Sequence, residues 1–203
     1  MQAWQVHENG EPSEVMRLTE TGRPVPGDGQ VLLRVRAANV NFPDALLCRG
    51  QYPVRPPLPF TPGVEICGET EDGRRVLATP ALPYGGFAEY ALANAGYVGH
   101  LPDNVGSVEI APVLCAGVTV YKGLKMTDTR AGEWVVVSGI GGLGHMAVQY
   151  ARAMGMNVAA VDVDEGKLAL ARRLGATVTV NARTTDPAAF LKKEIGGAHG
   201  ALV

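Results

Sequence analysis

The residues whose types and spacing point most directly to chemistry are Gly139-Ile140-Gly141-Gly142-Leu143-Gly144, with Asp162 beyond them. A Gly-x-Gly-x-x-Gly pattern recurs by chance in glycine-rich chains, and this one has 26 glycines, so its weight depends on what flanks it. Before it, Trp134 to Ser138 is short, Val-rich and nearly all apolar, which is how a parallel strand buried on both faces reads. After it, Leu143, Met146, Ala147, Tyr150, Ala151 and Met154 recur at intervals of three and four, one apolar stripe along a helix, and Gly155 closes it at the C-cap. Strand, glycine turn and helix N-terminus together bring unpaired backbone N–H groups and the positive end of a helix dipole to one place. That place suits a pyrophosphate.

The glycines divide the work. Gly139 permits the tight turn, Gly141 lets the backbone approach the pyrophosphate, and Gly144 lets the helix pack close on the strand, with Gly142 a further cofactor-binding position. A second strand, Asn157 to Val161, ends at Asp162, about 20 residues beyond the turn, where a carboxylate takes the hydroxyls of an adenosine ribose. Its charge repels a 2′-phosphate, so the expected cofactor is NAD(H) rather than NADP(H).

The elements that must hold these residues alternate. Trp134–Ser138, Leu143–Met154, Asn157–Val161, Gly166–Leu174, Thr177–Val180 and Asp186–Ile195 read as a βαβαβα run, and Ala201-Leu202-Val203 reads as the start of a fourth strand. The front of the chain has a different texture: 13 of the 14 prolines precede Val113. Val31–Ala37 and Phe87–Ala93 read as strands, Pro43–Arg49 as two helical turns, and the proline-dense Pro53–Pro62 as an ordered loop. Ser107–Ala111 and Val113–Lys125 read as helical connectors. The boundary is expected near 116, giving a domain over 1–116 and a dinucleotide-binding domain, first half only, over 117–203.

Composition excludes several classes. With 18 basic against 20 acidic residues and a net charge of −2, no basic excess points to nucleic acid. No run of about 18 apolar residues and no leader segment is expected, so membrane partners are not anticipated and a cytoplasmic location is. Cys48, Cys67 and Cys115 are widely spaced with no C-x-x-C pair, which suggests reduced thiols and neither a disulfide framework nor a cysteine-rich zinc lobe.

The chain resembles the medium-chain dehydrogenase/reductase superfamily along essentially its whole length. Ala38-Asn39-Val40-Asn41-Phe42-Pro43-Asp44, Arg49-Gly50-Gln51-Tyr52-Pro53 and Pro62-Gly63-Val64-Glu65-Ile66-Cys67-Gly68 look like the zinc-free quinone oxidoreductases. Ala111-Pro112-Val113-Leu114-Cys115-Ala116-Gly117-Val118-Thr119-Val120-Tyr121-Lys122-Gly123-Leu124-Lys125, the glycine turn and Val161-Asp162-Val163-Asp164 look like bacterial zinc alcohol dehydrogenases, so the chain reads as truncated or hybrid. The resemblance implies an α/β fold, a GroES-like β-rich substrate domain followed by a partial Rossmann domain with a parallel sheet, and an active site in the cleft between them.

It also implies residue roles. A catalytic zinc takes three protein ligands, but the position of the first cysteine falls in Asn41–Asp44, Val64 replaces the histidine, and only Cys115 matches, so no zinc is expected. His7, His100, His145 and His199 match no ligand spacing. Tyr52 stands where the zinc-free relatives place a candidate proton donor to a developing enolate or quinol oxygen, or else simply packs the proline-rich loop. Asn41 positions substrate or carboxamide, or else satisfies loop backbone. Thr119 falls beside the nicotinamide, Leu143 behind its ring, and Lys167 near the adenosine ribose. Asp44 and Glu65 match positions around the missing metal and read as hydrogen-bonded structural carboxylates.

The reading is therefore a zinc-independent NAD(H)-dependent oxidoreductase acting on a quinone, enone or activated carbonyl. Its alternatives are a zinc-type alcohol dehydrogenase and a non-catalytic nucleotide- or partner-binding module. The partners expected are a small-molecule substrate and either a homo-oligomer or a completing chain.

Overall fold

Ala3 and Val6 are fully buried, and the segment around them forms strand β1 (Gln2–Val6) of the computed structural model, which describes all 203 residues. A short helix α1 (Pro12–Val15), opened by proline in its first turn, leads to β2 (Met16–Glu20), antiparallel to β1. Leu32 and Leu33 anchor β3 (Gln30–Ala38), and helix α2 (Phe42–Cys48) follows with Pro43 in its first turn. Then come β4 (Ile66–Glu69), β5 (Arg75–Ala78), β6 (Tyr90–Asn94) and β7 (Gly99–His100). Five of these strands make one antiparallel sheet in the order β6-β3-β4-β5-β7, with Leu33, Ile66, Val76, Ala78, Ala91 and Ala93 as its core.

The strand expected from Phe87 begins only at Tyr90. The N–H of Phe87 bonds the Pro62 carbonyl, its carbonyl accepts from Trp4, and the N–H of Glu89 bonds the Gln2 carbonyl, so this stretch is drawn to β1 and the preceding loop, and it meets β3 only where the Glu89 carbonyl accepts from Val35. The proline-rich loop is tied at its end, where Phe60 is buried and exchanges backbone hydrogen bonds with Val6 at 2.8 and 3.1 Å.

Helix α3 (Ser107–Ile110) runs into a 3₁₀ turn at Ala111–Val113, and α4 (Ala116–Met126) starts three residues later than the sequence suggests. Pro112 has no N–H to contribute, and the N–H of Cys115 goes to a Glu65 side-chain oxygen at 2.7 Å rather than back along a helix.

The rest alternates as expected: β8 (Trp134–Ser138), α5 (Gly142–Ala153), β9 (Asn157–Asp162), α6 (Glu165–Leu174), β10 (Val178–Asn181), α7 (Pro187–Ile195) and β11 (Gly200–Leu202). Asp164 caps α6 through the Lys167 N–H, and Asp186 caps α7 through the Ala188 N–H. All four strands are parallel in the order β10-β9-β8-β11. The chain thus works outward from β8 in one direction and returns to its other side with β11. That reversal makes the C-terminal end of β8 the switch point of the strand order, the place where ligands of open α/β sheets bind.

The chain forms two compact units, Met1–Cys115 and Ala116–Val203. No single helix is long and apolar enough to cross a membrane. Within the second unit α4 packs along α5, with Leu124 fully buried and the rings of Tyr121 and Tyr150 tilted at 6.4 Å. Leu124→Ala should therefore cost about 2–5 kcal/mol, read as a lower denaturant midpoint with an unchanged slope.

Candidate functional site

At the end of β8 the chain turns with Gly139 in the left-handed region, φ 87°, and its N–H bonded to the Val161 carbonyl at 2.8 Å. Ile140 is buried beneath the turn, while Gly141 and Gly142 are exposed and a Cβ on either would meet nothing within 4 Å. Helix α5 begins here without any side-chain cap, so its first-turn N–H groups stay available to a ligand. Gly144 is buried against the turn: a Cβ there would lie 1.9 Å from the Gly139 carbonyl oxygen. Two glycines thus leave open space for a ligand and a third closes the helix onto the strand.

Asp162, 8% exposed, holds this turn in place. Its Oδ2 accepts from the Ile140 N–H at 2.7 Å, and its Oδ1 from the N–H groups of Val163 and Asp164 at 2.7 and 3.0 Å. Burial pushes the carboxyl up, but those three N–H groups and the charge of Lys167 outweigh it and hold it below its ordinary value. A carboxylate offers about four acceptor positions, so one remains for a ribose hydroxyl. Lys167 is exposed on the first turn of α6, Leu143 is half exposed on the first turn of α5, and Thr119 is exposed on α4. His145, also in the first turn of α5, sets its Nδ1 against the Gly141 carbonyl oxygen at 3.0 Å and is half-buried. The open glycines, the uncapped helix and the acid fit a dinucleotide.

In the first unit the sequence-derived candidates meet a second network. Asn41 precedes α2, and its N–H donates to Asp44 Oδ2 at 2.8 Å, while Asp44 Oδ1 accepts from the N–H groups of Gly63 and Val64. The Asn41 side chain turns the other way. Its Nδ2 donates to Glu65 Oε1 at 2.8 Å, and its Oδ1 accepts from Asn39 Nδ2, which also reaches Glu65 Oε1, each at 2.9 Å. Glu65, 1% exposed, completes its set with the Cys115 N–H on Oε2. Burial raises the Asp44 carboxyl, and the nearby charge of Glu65 adds to that, against the three N–H groups that lower it. Burial, then Glu65 and Asp44, raise the Cys115 thiol, which stays protonated.

This donor set does not fit zinc. Asn41 accepts from Asn39 on Oδ1 and donates one N–H to Glu65, Val64 is apolar, and nowhere do three His, Cys, Asp or Glu side chains gather as a metal would require. Tyr52 is half-buried, its ring packed against the cluster of Val6, Val15, Leu47, Cys48 and Phe60. Sequence reasoning missed Asn39 and its tie to Glu65. The available signal was Asn39-Val40-Asn41, whose alternate spacing puts two amides on one side of an extended segment.

Gly144→Ala forces backbone apart and should cost about 1–3 kcal/mol, visible in the melting temperature. The pH dependence of Asp162 follows from its lowered value: its stabilising contribution is complete above the range of a free aspartate and fades as pH falls through the folded value. The shift of its carboxyl carbon in an NMR titration should have a midpoint below about 3.9, and a midpoint above it would contradict the hydrogen bonding described.

Comparison with known proteins identifies relatives for both units. Residues 27–103 match the alcohol dehydrogenase GroES-like domain and residues 142–203 the zinc-binding dehydrogenase domain. An alcohol dehydrogenase of Moraxella sp. (strain TAE123) is 50% identical over 239 residues, covering all of this chain and 70% of its own length. That span exceeds the 203 residues here, so the relative carries residues within it that have no counterpart in this chain. The quinone oxidoreductase of Thermus thermophilus, whose structure is also known as a complex with NADPH, superposes with a TM-score of 0.86 at 37% identity, over 100% of this chain and 66% of that one. An alcohol dehydrogenase of the archaeon Aeropyrum pernix superposes at 0.81 with 31% identity, over 95% and 68%. The chain spans about two thirds of the length of these relatives.

Proposed function

Since the chain belongs to the medium-chain dehydrogenase/reductase superfamily of NAD(P)-dependent oxidoreductases, we propose that it is a zinc-independent member. Its reaction is hydride transfer from NADH to a quinone, an enone or another activated carbonyl. The observation that carries this reading is the donor set at the family's metal position: an asparagine amide bonded to a buried carboxylate, a valine and a single cysteine, with no group of three metal-ligating side chains. The likeness to the Thermus quinone oxidoreductase over the whole chain supports it.

In this reading residues 1–116 receive the substrate and residues 117–203 the dinucleotide. The nicotinamide, when bound, supplies the hydride. The open N–H groups around Gly139, Gly141, Gly142 and Gly144 take the pyrophosphate, Asp162 and Lys167 the adenosine ribose, and Thr119 and Leu143 orient the ring. The charge on Asp162 opposes a 2′-phosphate and favours NAD(H), although the Thermus relative forms a complex with NADPH. Asn41 donates an N–H to the substrate oxygen, and the Tyr52 hydroxyl gives a proton to that oxygen as charge develops there. Free thiols at Cys48, Cys67 and Cys115 suit a reducing, cytoplasmic compartment.

Zinc-dependent alcohol oxidation is the competing reading, favoured by the name of the Moraxella relative. The two separate after exhaustive dialysis against a chelator. The dialysed chain should oxidise NADH with a benzoquinone acceptor, and Asn41→Ala should lower kcat about a hundredfold. Activity lost on chelation and restored by one zinc per chain would establish the competitor.

A further inference from the structure

Three N–H donors converge on the carboxylate of Glu65: the amides of Asn39 and Asn41 on Oε1 and the Cys115 backbone on Oε2. Glu65 is fully buried, and none of the four ion pairs of the chain involves it. With Oε1 accepting from both asparagine amides and Oε2 from the Cys115 N–H, the carboxyl admits one orientation of the Asn41 side chain, with Nδ2 inward. The flipped amide would set Oδ1 against Glu65 Oε1, oxygen against oxygen, and Nδ2 against the Asn39 N–H. Asn39 therefore enforces the same orientation from the other end, by donating to Oδ1 at 2.9 Å.

Asn41 Nδ2 has two hydrogens, and Glu65 engages one of them. The residue is only half-buried, so the second hydrogen lies on an amide whose plane and polarity are already fixed. Such a donor loses little freedom when it meets a substrate oxygen.

We propose that Glu65 is a positioning residue, held by Asn39 and the Cys115 backbone, that locks the Asn41 amide with its free N–H presented to the carbonyl or quinone oxygen. This rests on the reading of Asn41 as the amide that meets substrate. Its chemical consequence concerns Glu65→Gln. A glutamine has one acceptor oxygen and one N–H₂ for three incoming donors, so it must oppose either the two asparagine amides or the Cys115 N–H. In the first case Asn41 is driven to flip and presents an oxygen where an N–H is needed, and in the second the side chain loses its hold on the Cys115 backbone and no longer fixes the Asn41 amide.

The experiment is a double-mutant cycle on the full chain with NADH and a benzoquinone acceptor. Glu65→Gln should lower kcat about tenfold or more while KM for NADH stays within twofold. In the Asn41→Ala background the same substitution should change kcat less than twofold, because nothing remains for Glu65 to orient. An equal loss in both backgrounds would overturn the proposal, as expected of a purely structural carboxylate. A second measurement needs neither turnover nor a variant: hydrogen exchange of the Asn41 side-chain amide followed by NMR. One of its two protons should exchange at least tenfold more slowly than the other, and equal fast exchange would overturn the proposal. A wild-type chain with this asymmetry but no quinone turnover would sink the assigned reaction and leave the locked amide standing.

Discussion

The hydrogen bond from the Ile140 N–H to Asp162 Oδ2 joins the two halves of the candidate cofactor site, at 2.7 Å. Ile140 lies inside the glycine turn that follows β8, and Asp162 is the last residue of β9. The bond therefore fixes the turn to the neighbouring strand end, and the Gly139 N–H bonded to the Val161 carbonyl repeats the constraint one residue earlier. With the turn held this way, Gly141 and Gly142 face open space, and α5 starts without a cap at the point where the strand order reverses beside β8. Asp162 buttresses the turn, and under the proposed function its remaining acceptor position would take a ribose hydroxyl.

The first unit solves a similar problem with the same chemistry. Asp44 gathers N–H groups from Asn41, Gly63 and Val64, and Glu65 gathers them from Asn39, Asn41 and Cys115. Neither acid has a cationic side chain as its partner, and no buried polar side-chain atom lacks a hydrogen bond. Buried charge is tolerated when converging donors replace its hydration. The amides of Asn39 and Asn41 belong to this network, and that of Asn41 is the member set toward substrate in the proposed reaction.

Much of the second unit was legible because its signals are local. The Val-rich run at Trp134–Ser138, the period of Leu143–Met154 and the glycines after each helix mark their elements to within a residue or two, and Gly175 and Gly196 do adopt left-handed caps. The first unit was less legible. Strands β1, β2, β4 and β5 are 4 or 5 residues long, and β4 and β5 depend also on partners far away in sequence, as when Glu69 meets Arg34 or Val76 meets His100. Asn41, Tyr52 and Asp162 were visible as residue types at telling positions. That Asn41 turns toward Glu65, that Tyr52 lays its ring on the Phe60 cluster, and that Asp162 gives most of its acceptor positions to backbone were not visible, because each depends on tertiary contacts that spacing does not encode.

The proposed function requires the glycine turn and Asp162 together to receive a dinucleotide and to read its ribose. Calorimetric titration of the full chain with NADH and, in parallel, with NADPH tests it most directly. The account predicts saturable binding of one nicotinamide dinucleotide per chain, with NADH at least tenfold tighter than NADPH. Equal affinity for the two would remove Asp162 from recognition, and binding of neither by the folded chain would contradict the account as a whole.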